Sequence, residues 1–160
     1  MKGENNMKPK FIKKDELIVV GQRGSSYETG AIWQKFLDLY DKFGIFEQIS
    51  KNELYKVRLI NGKKFDVHFG MLTANKRQSP FYKMLNIPAF EYAVFEVALA
   101  KGYDEQIVEI EEWIKNDEKY EQGRIEGTRF LIEHYGVKYK EDDFDNSVIE
   151  IMMPIVEKED

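Results

Sequence analysis

The sequence of 160 residues contains no cysteine. This absence excludes disulfide bonds, thiolate nucleophiles and cysteine-based zinc sites, and it agrees with a reducing cytoplasm. No apolar run is long enough to cross a bilayer, and the first residues lack the apolar segment of a secretory signal. With only two histidines, in separate segments, a metal site has no basis in the sequence. We therefore expect a cytoplasmic protein without a cofactor and without a membrane partner.

Positive charge is also limited. The chain has 24 basic and 29 acidic residues, a net charge of -5, and no basic cluster dense enough to neutralise several phosphates. Direct binding to nucleic acid is therefore not expected. Hydrophobic residues make up 42% and aromatic residues 14% of the sequence, which is enough for one folded domain. We assign this domain to residues 9–156 and expect residues 1–8 to form a flexible N-terminus.

The hydrophobic pattern repeats the order strand, helix, strand, strand. In the first repeat, residues 9–72, a strand runs into glycine, a helix ends at Gly44, and Asn61-Gly62 joins a hairpin. The second repeat, residues 88–156, has the same order. Residues 72–89 carry two prolines and little periodicity, so we interpret them as a crossing loop. The pattern predicts an α+β fold of two pseudo-symmetric β-α-β-β repeats.

Glu133 lies in the middle of an apolar strand, which is costly for a carboxylate. Side chains alternate along a strand, so Glu133 shares a face with Leu131 and Tyr135, opposite to Phe130 and Ile132. One interpretation is that Glu133 faces a pocket that receives a ligand. The alternatives are an ion pair with a nearby arginine or lysine, or a solvated position at a sheet edge.

Three motifs in order resemble the GyrI-like effector-binding superfamily. They are IPAFEYAVFEV at residues 87–97, FLIEHY at residues 130–135 and IEIMMPI at residues 149–155. The resemblance implies two related strand-helix-strand-strand units and a central cleft that binds hydrophobic, often cationic molecules. Two positions depart from the family pattern: Lys101-Gly102-Tyr103 replaces a Gly-Pro-Tyr, and Met152 replaces a tyrosine.

The resemblance implies a ligand site in which Glu133 supplies the charge and Tyr135 an aromatic wall. We add Tyr92, Met152 and Trp33 as candidate lining residues, with core packing as the alternative for Tyr92 and Trp33. The first hypothesis is a stand-alone bacterial protein, related to transcription regulation, that captures diverse cationic aromatic compounds. A second is a hydrolase of reactive electrophiles, with Glu133 as general base and Tyr135 as hydrogen-bond donor or acid. A third is a protein-interaction module of the gyrase-inhibitor type.

Overall fold

The computed structural model describes residues 8–159, and within them the chain forms ten strands and two α-helices. The elements are β1 (Lys10–Lys14), β2 (Leu17–Ser25), α1 (Thr29–Phe43), β3 (Leu54–Asn61), β4 (Lys64–Thr73), β5 (Lys83–Ile87), β6 (Phe90–Ala98), α2 (Tyr103–Asn116), β7 (Tyr120–Gln122), β8 (Arg124–Ile125), β9 (Thr128–Tyr135) and β10 (Val148–Glu157). This composition confirms the α+β class. None of the described helices is long and apolar enough to span a membrane.

The strands form one antiparallel sheet in the order β1-β6-β10-β9-β3-β4-β2-β5. Two short strands extend it, β7 on β10 and β8 on β9. The pairing of β3 with β9 joins the N-terminal and C-terminal parts of the chain at the middle of the sheet. Side chains on these two strands are therefore far apart in sequence but adjacent in space.

Both helices pack on the same face of the sheet. Helix α1 buries Ile32 and Phe36 and packs on β2 and β4, whereas α2 packs on β6 and β7. The buried positions of α2 are Ile107, Ile110 and Ile114, spaced by three and four residues as expected for one helix face. On the opposite face, strands from both ends of the sheet contribute to one core cluster, so the sheet curls around it.

Glycines end α1 and precede α2. Gly44 has a φ of 62° and donates its backbone N–H to the carbonyl oxygen of Tyr40, as the sequence predicted for the end of α1. Gly102 has a φ of 93° and comes directly before Tyr103, the first residue of α2. Asp104 lies in the first turn of α2 rather than at its N-cap, which is Gly102. The turn at Gly102 brings Tyr103 towards the central strands.

The strands differ from the sequence predictions in two places. The crossing loop at residues 72–89 is wrong in part, because it contains β5, which pairs along the edge of β2. The strand expected to run into glycine is β2, and the residues before it form a further strand, β1, which pairs with β6. The predicted flexible segment at residues 1–8 lies, except for Lys8, outside the described residues.

Candidate functional site

The two central strands, β3 and β9, lie between the two helices on the helical face of the sheet. Lys56 on β3 is the direct cross-strand partner of Glu133 on β9. Directly paired residues of antiparallel strands point to the same face, and so do residues two positions along either strand. Arg58, Leu131 and Tyr135 therefore share this face. We call the space above these residues, between α1 and α2, the interhelical groove.

Glu133 is fully buried at the floor of the interhelical groove and accepts hydrogen bonds on both carboxylate oxygens. Arg58 donates from Nε to Oε2 at 2.7 Å, and the hydroxyl of Tyr103 donates to the same oxygen. The hydroxyl of Tyr135 donates to Oε1 at 2.7 Å. Lys56 Nζ lies 3.8 Å from Oε2. Glu133 is therefore a paired carboxylate, which is the first of the two alternatives that the sequence left open.

The environment fixes the protonation of the groups around Glu133. Burial lowers the pKa of Lys56, and the charge of Arg58 lowers it further, against the attraction of Glu133. Burial is the largest influence on Arg58 and opposes its charge, but the attraction and hydrogen bonds of Glu133 and Tyr103 together outweigh it, so the pKa of Arg58 lies above its ordinary value. Burial and then the charge of Glu133 raise the pKa of Tyr103 and of Tyr135. Both hydroxyls therefore remain protonated donors.

Aromatic rings hold the guanidinium of Arg58 in place. Its central carbon lies 4.7 Å from the ring centroid of Phe65 and 5.5 Å from that of Tyr103. Cation–π contacts of this kind are worth about 0.5–2 kcal/mol, with the larger value where water is excluded. The side chain of Arg58 is 15% exposed, so it is largely desolvated. Arg58 is thus restrained by one carboxylate, one hydroxyl and two rings.

Further aromatic side chains continue from Tyr135 across the interhelical groove. The ring of Tyr139 meets Tyr135 edge-on at 5.0 Å between centroids. On the other side, Phe69 lies 6.4 Å from Tyr135 and 4.6 Å from Trp33 of α1. The groove therefore has an ionic centre and aromatic walls, an arrangement suited to a flat hydrophobic molecule with a polar group.

The structure brings three of the five predicted ligand-site residues to this groove. Glu133 and Tyr135 are hydrogen-bonded to each other, and Trp33 joins them through Phe69. Met152 lies on the opposite face, because its cross-strand partner on β9 is Ile132 rather than Glu133.

Tyr92 is likewise on the opposite face. It is fully buried in the curled core, where its ring packs against Phe90. Within residues 8–159 its hydroxyl has no hydrogen-bond partner. Tyr92 is thus a core residue, which was the alternative that the sequence analysis gave for it, and the prediction that Tyr92 and Met152 line the same cleft as Glu133 is wrong.

Sequence reasoning missed Lys56, Arg58 and Tyr103. The segment YKVRLI alternates apolar and basic residues, which places Lys56 and Arg58 on one face of a strand. That alternation was a usable signal for two inward-facing cations. Tyr103 was noticed as part of Lys101-Gly102-Tyr103, yet its hydroxyl was not assigned to the site.

A second polar cluster lies away from the groove. His134 is stacked on Tyr55, with 4.5 Å between ring centroids. Its Nε2 lies 2.6 Å from Glu53, and its Nδ1 lies 2.9 Å from Glu150. His134 points away from Glu133, as the alternation of side chains along β9 requires. This cluster connects β9, β10 and the segment before β3.

Solved structures of other proteins share this architecture. No family model and no curated protein matches the chain. Among solved structures, SAV2435 bound to tetraphenylphosphonium matches with a TM-score of 0.69 and 15% identity, over 94% of each chain. The C-terminal domain of EcmrR matches with a TM-score of 0.69 and 14% identity, over 96% of this chain and 100% of that one. The chain shares the fold of SAV2435 and of the EcmrR C-terminal domain, the GyrI-like fold.

A structure of EcmrR in complex with DNA shows the same fold inside a longer protein. Its TM-score is 0.68 at 16% identity, and the match covers 96% of this chain but 58% of the EcmrR chain. At such identities the likeness establishes the GyrI-like fold alone.

Proposed function

We propose that this GyrI-like chain is a small-molecule-binding effector domain that captures hydrophobic aromatic compounds in the interhelical groove. The observation that carries the proposal is the buried carboxylate of Glu133, held by Tyr103 and Tyr135 among aromatic rings at the centre of the sheet. A polar group buried in this way orients a ligand, while the rings supply the contact area. The bound compound of SAV2435, tetraphenylphosphonium, is aromatic too.

In this proposal the two halves of the chain are pseudo-symmetric repeats and the groove follows their junction. The order β6-β10-β9 on one side of the junction corresponds to β2-β4-β3 on the other. Each half places its helix on the same face, and the helices pack mainly on β2 and β4 for α1 and on β6 and β7 for α2, to either side of the central pair of strands. A groove at the junction of two repeats is a common position for a ligand site.

Cationic aromatic compounds fit this proposal if they take the place of Arg58 beside Glu133. The guanidinium of Arg58 already occupies the position beside Glu133 that a ligand cation would take. A cation that takes this position displaces Arg58, whereas Tyr103 and Tyr135 can keep their hydrogen bonds. A relation to transcription regulation rests on the likeness to EcmrR and belongs to the same proposal.

The hydrolase and protein-interaction alternatives gain no comparable support. A general base needs a free lone pair directed at a water molecule. Both oxygens of Glu133 already accept hydrogen bonds from protein donors, and the pKa of Tyr135 is raised. For the interaction module, the net charge of -5 is modest for nucleic-acid mimicry.

The proposal is tested by titrating Nile red, a neutral dye, and tetraphenylphosphonium into the purified protein. We expect saturable binding of at least one of them, weakened severalfold by Tyr139→Ala, which removes a groove wall. Tyr120→Ala is the matched control, because Tyr120 contacts Phe11 at the β1 edge. Equal loss of affinity in both variants, or no saturable binding to the wild type, contradicts the proposal.

A further inference from the structure

The ionised groups at the centre of the interhelical groove do not balance. Lys56 and Arg58 carry two positive charges and Glu133 carries one negative charge, which gives a formal sum of +1. Among the described residues, Glu133 is the carboxylate whose charge acts on both cations. Since the side chains of Lys56 and Arg58 are each only 15% exposed, bulk water compensates this excess poorly.

Glu133 has at most one lone-pair site left for a second cation. Its Oε2 accepts from Arg58 and Tyr103, and its Oε1 accepts from Tyr135. A cationic guest that takes the place of Arg58 breaks one of these bonds and leaves a buried donor unpaired, which is costly. Displacing Arg58 also gives up its contacts with the rings of Phe65 and Tyr103.

Lys56 and Arg58, in contrast, retain unused donors. Lys56 Nζ lies 3.8 Å from Glu133 Oε2, beyond hydrogen-bond distance, and its ammonium carries three donors. Arg58 spends its Nε on Glu133 and its Nη2 on Tyr103, although a guanidinium carries five N–H donors. Two neighbouring cations with spare donors match the two oxygens of a carboxylate.

On this basis, and resting on the proposed function, we propose that the preferred guest of the groove is an amphipathic aromatic anion. Its carboxylate binds Lys56 and the free edge of Arg58, while its ring lies against the aromatic walls. Bound there, one negative charge cancels the excess of +1. Cationic aromatics bind more weakly because they compete with Arg58. Lys56 is then the residue that sets the charge preference of the site.

The test uses three ligands that share one ring system and differ in charge: 2-naphthoate, 2-naphthamide and 2-naphthyltrimethylammonium. Their dissociation constants for the full chain are measured by calorimetry at low salt. We expect 2-naphthoate to bind at least about tenfold more tightly than the other two, the size of one charge-assisted hydrogen bond. Lys56→Met should remove this advantage, so that the variant binds 2-naphthoate no more tightly than 2-naphthamide.

Two further variants keep the result interpretable. Lys56→Arg retains the positive charge and should retain the preference for the anion. A preference that is lost in Lys56→Met but kept in Lys56→Arg therefore reflects the missing charge and not misfolding. Lys35→Met removes an exposed lysine on α1 and should change nothing. If the amide or the cation binds as tightly as 2-naphthoate, the inference is overturned and the proposed function stands. If none of the three ligands binds, the inference is overturned, and the titrations with Nile red and tetraphenylphosphonium decide separately whether the proposed function stands.

Discussion

Replacing Arg58 by methionine leaves the carboxylate of Glu133 buried without its strongest partner. Methionine keeps a long, flexible side chain between the rings of Phe65 and Tyr103, so the change removes charge with little loss of packing volume. Glu133 is fully buried, so water compensates its charge poorly when Arg58 is removed. We therefore expect Arg58→Met to destabilise the fold, although Arg58 lies at the proposed ligand site.

The hydrogen-bond donors that remain around Glu133 determine how much the free energy of unfolding decreases. Removing one partner of a buried ion pair costs about 3–5 kcal/mol. The lower end applies here, because Tyr103 and Tyr135 still donate to Glu133 and Lys56 lies 3.8 Å from it. A loss of about 3 kcal/mol corresponds to a decrease in Tm of about 6–12 °C for a domain of this size. Glu133→Gln in the same chain should restore part of the loss, since the buried charge is then gone.

The assay is urea unfolding of the wild type, both single variants and the double variant, analysed as a double-mutant cycle. We expect a coupling free energy between Arg58 and Glu133 of about 2 kcal/mol. Arg77→Met is the control, because Arg77 is exposed and should change the free energy of unfolding by less than about 0.5 kcal/mol. Single losses that simply add, or an Arg58→Met loss below about 1 kcal/mol, would show that the pair behaves as a solvated surface pair.

Three other predictions concern buried or paired polar groups. Burial lowers the pKa of His68 to about 4, so the unfolded chain binds more protons between pH 4 and about 6.5. The free energy of unfolding should therefore decrease by roughly 3 kcal/mol as the pH falls through this window, and His68→Gln should flatten that slope in urea titrations. Tyr92→Phe removes a hydroxyl that has no partner within the described residues, so it should leave the free energy of unfolding unchanged or raise it by about 1 kcal/mol. Tyr135→Phe removes the hydrogen bond to Glu133 and should lower it by about 1.5–3 kcal/mol. Thermal unfolding measures both changes. A hydrogen bond from Ser50, followed by contacts with His134, lowers the pKa of Glu53 despite partial burial. The ionised Glu53 therefore stabilises the fold above its ordinary pKa, and this contribution is lost as the pH falls through its pKa in the folded protein. Glu53→Gln should reduce the loss of stability at acid pH, and NMR titration should show a higher pKa of Glu53 in Ser50→Ala.

Local sequence signals predicted most of the fold. The turn at Asn61-Gly62 and the stop at Gly44 depend on backbone conformations that short-range sequence determines, and both occur as predicted. Strand β5 was missed, because its residues Lys83–Ile87 carry little alternation and lie between two prolines. This strand is specified by the open edge of β2, which supplies its hydrogen-bond partners. Tertiary pairing of this kind leaves little local signature.

The difference between local signals and tertiary strand pairing also explains which residues of the site could be predicted. Alternation along one strand suffices to put Glu133 and Tyr135 on one face, and that prediction is confirmed by their hydrogen bond. Comparing residues on different strands requires the register, and a shift of one residue exchanges the faces. Met152 was misplaced for this reason, since Ile151 is the residue opposite Glu133. The ion pair with Arg58 depends on the pairing of β3 with β9 across 75 residues of sequence. The ion pair at the centre of the interhelical groove therefore comes from a strand pairing that no local pattern encodes.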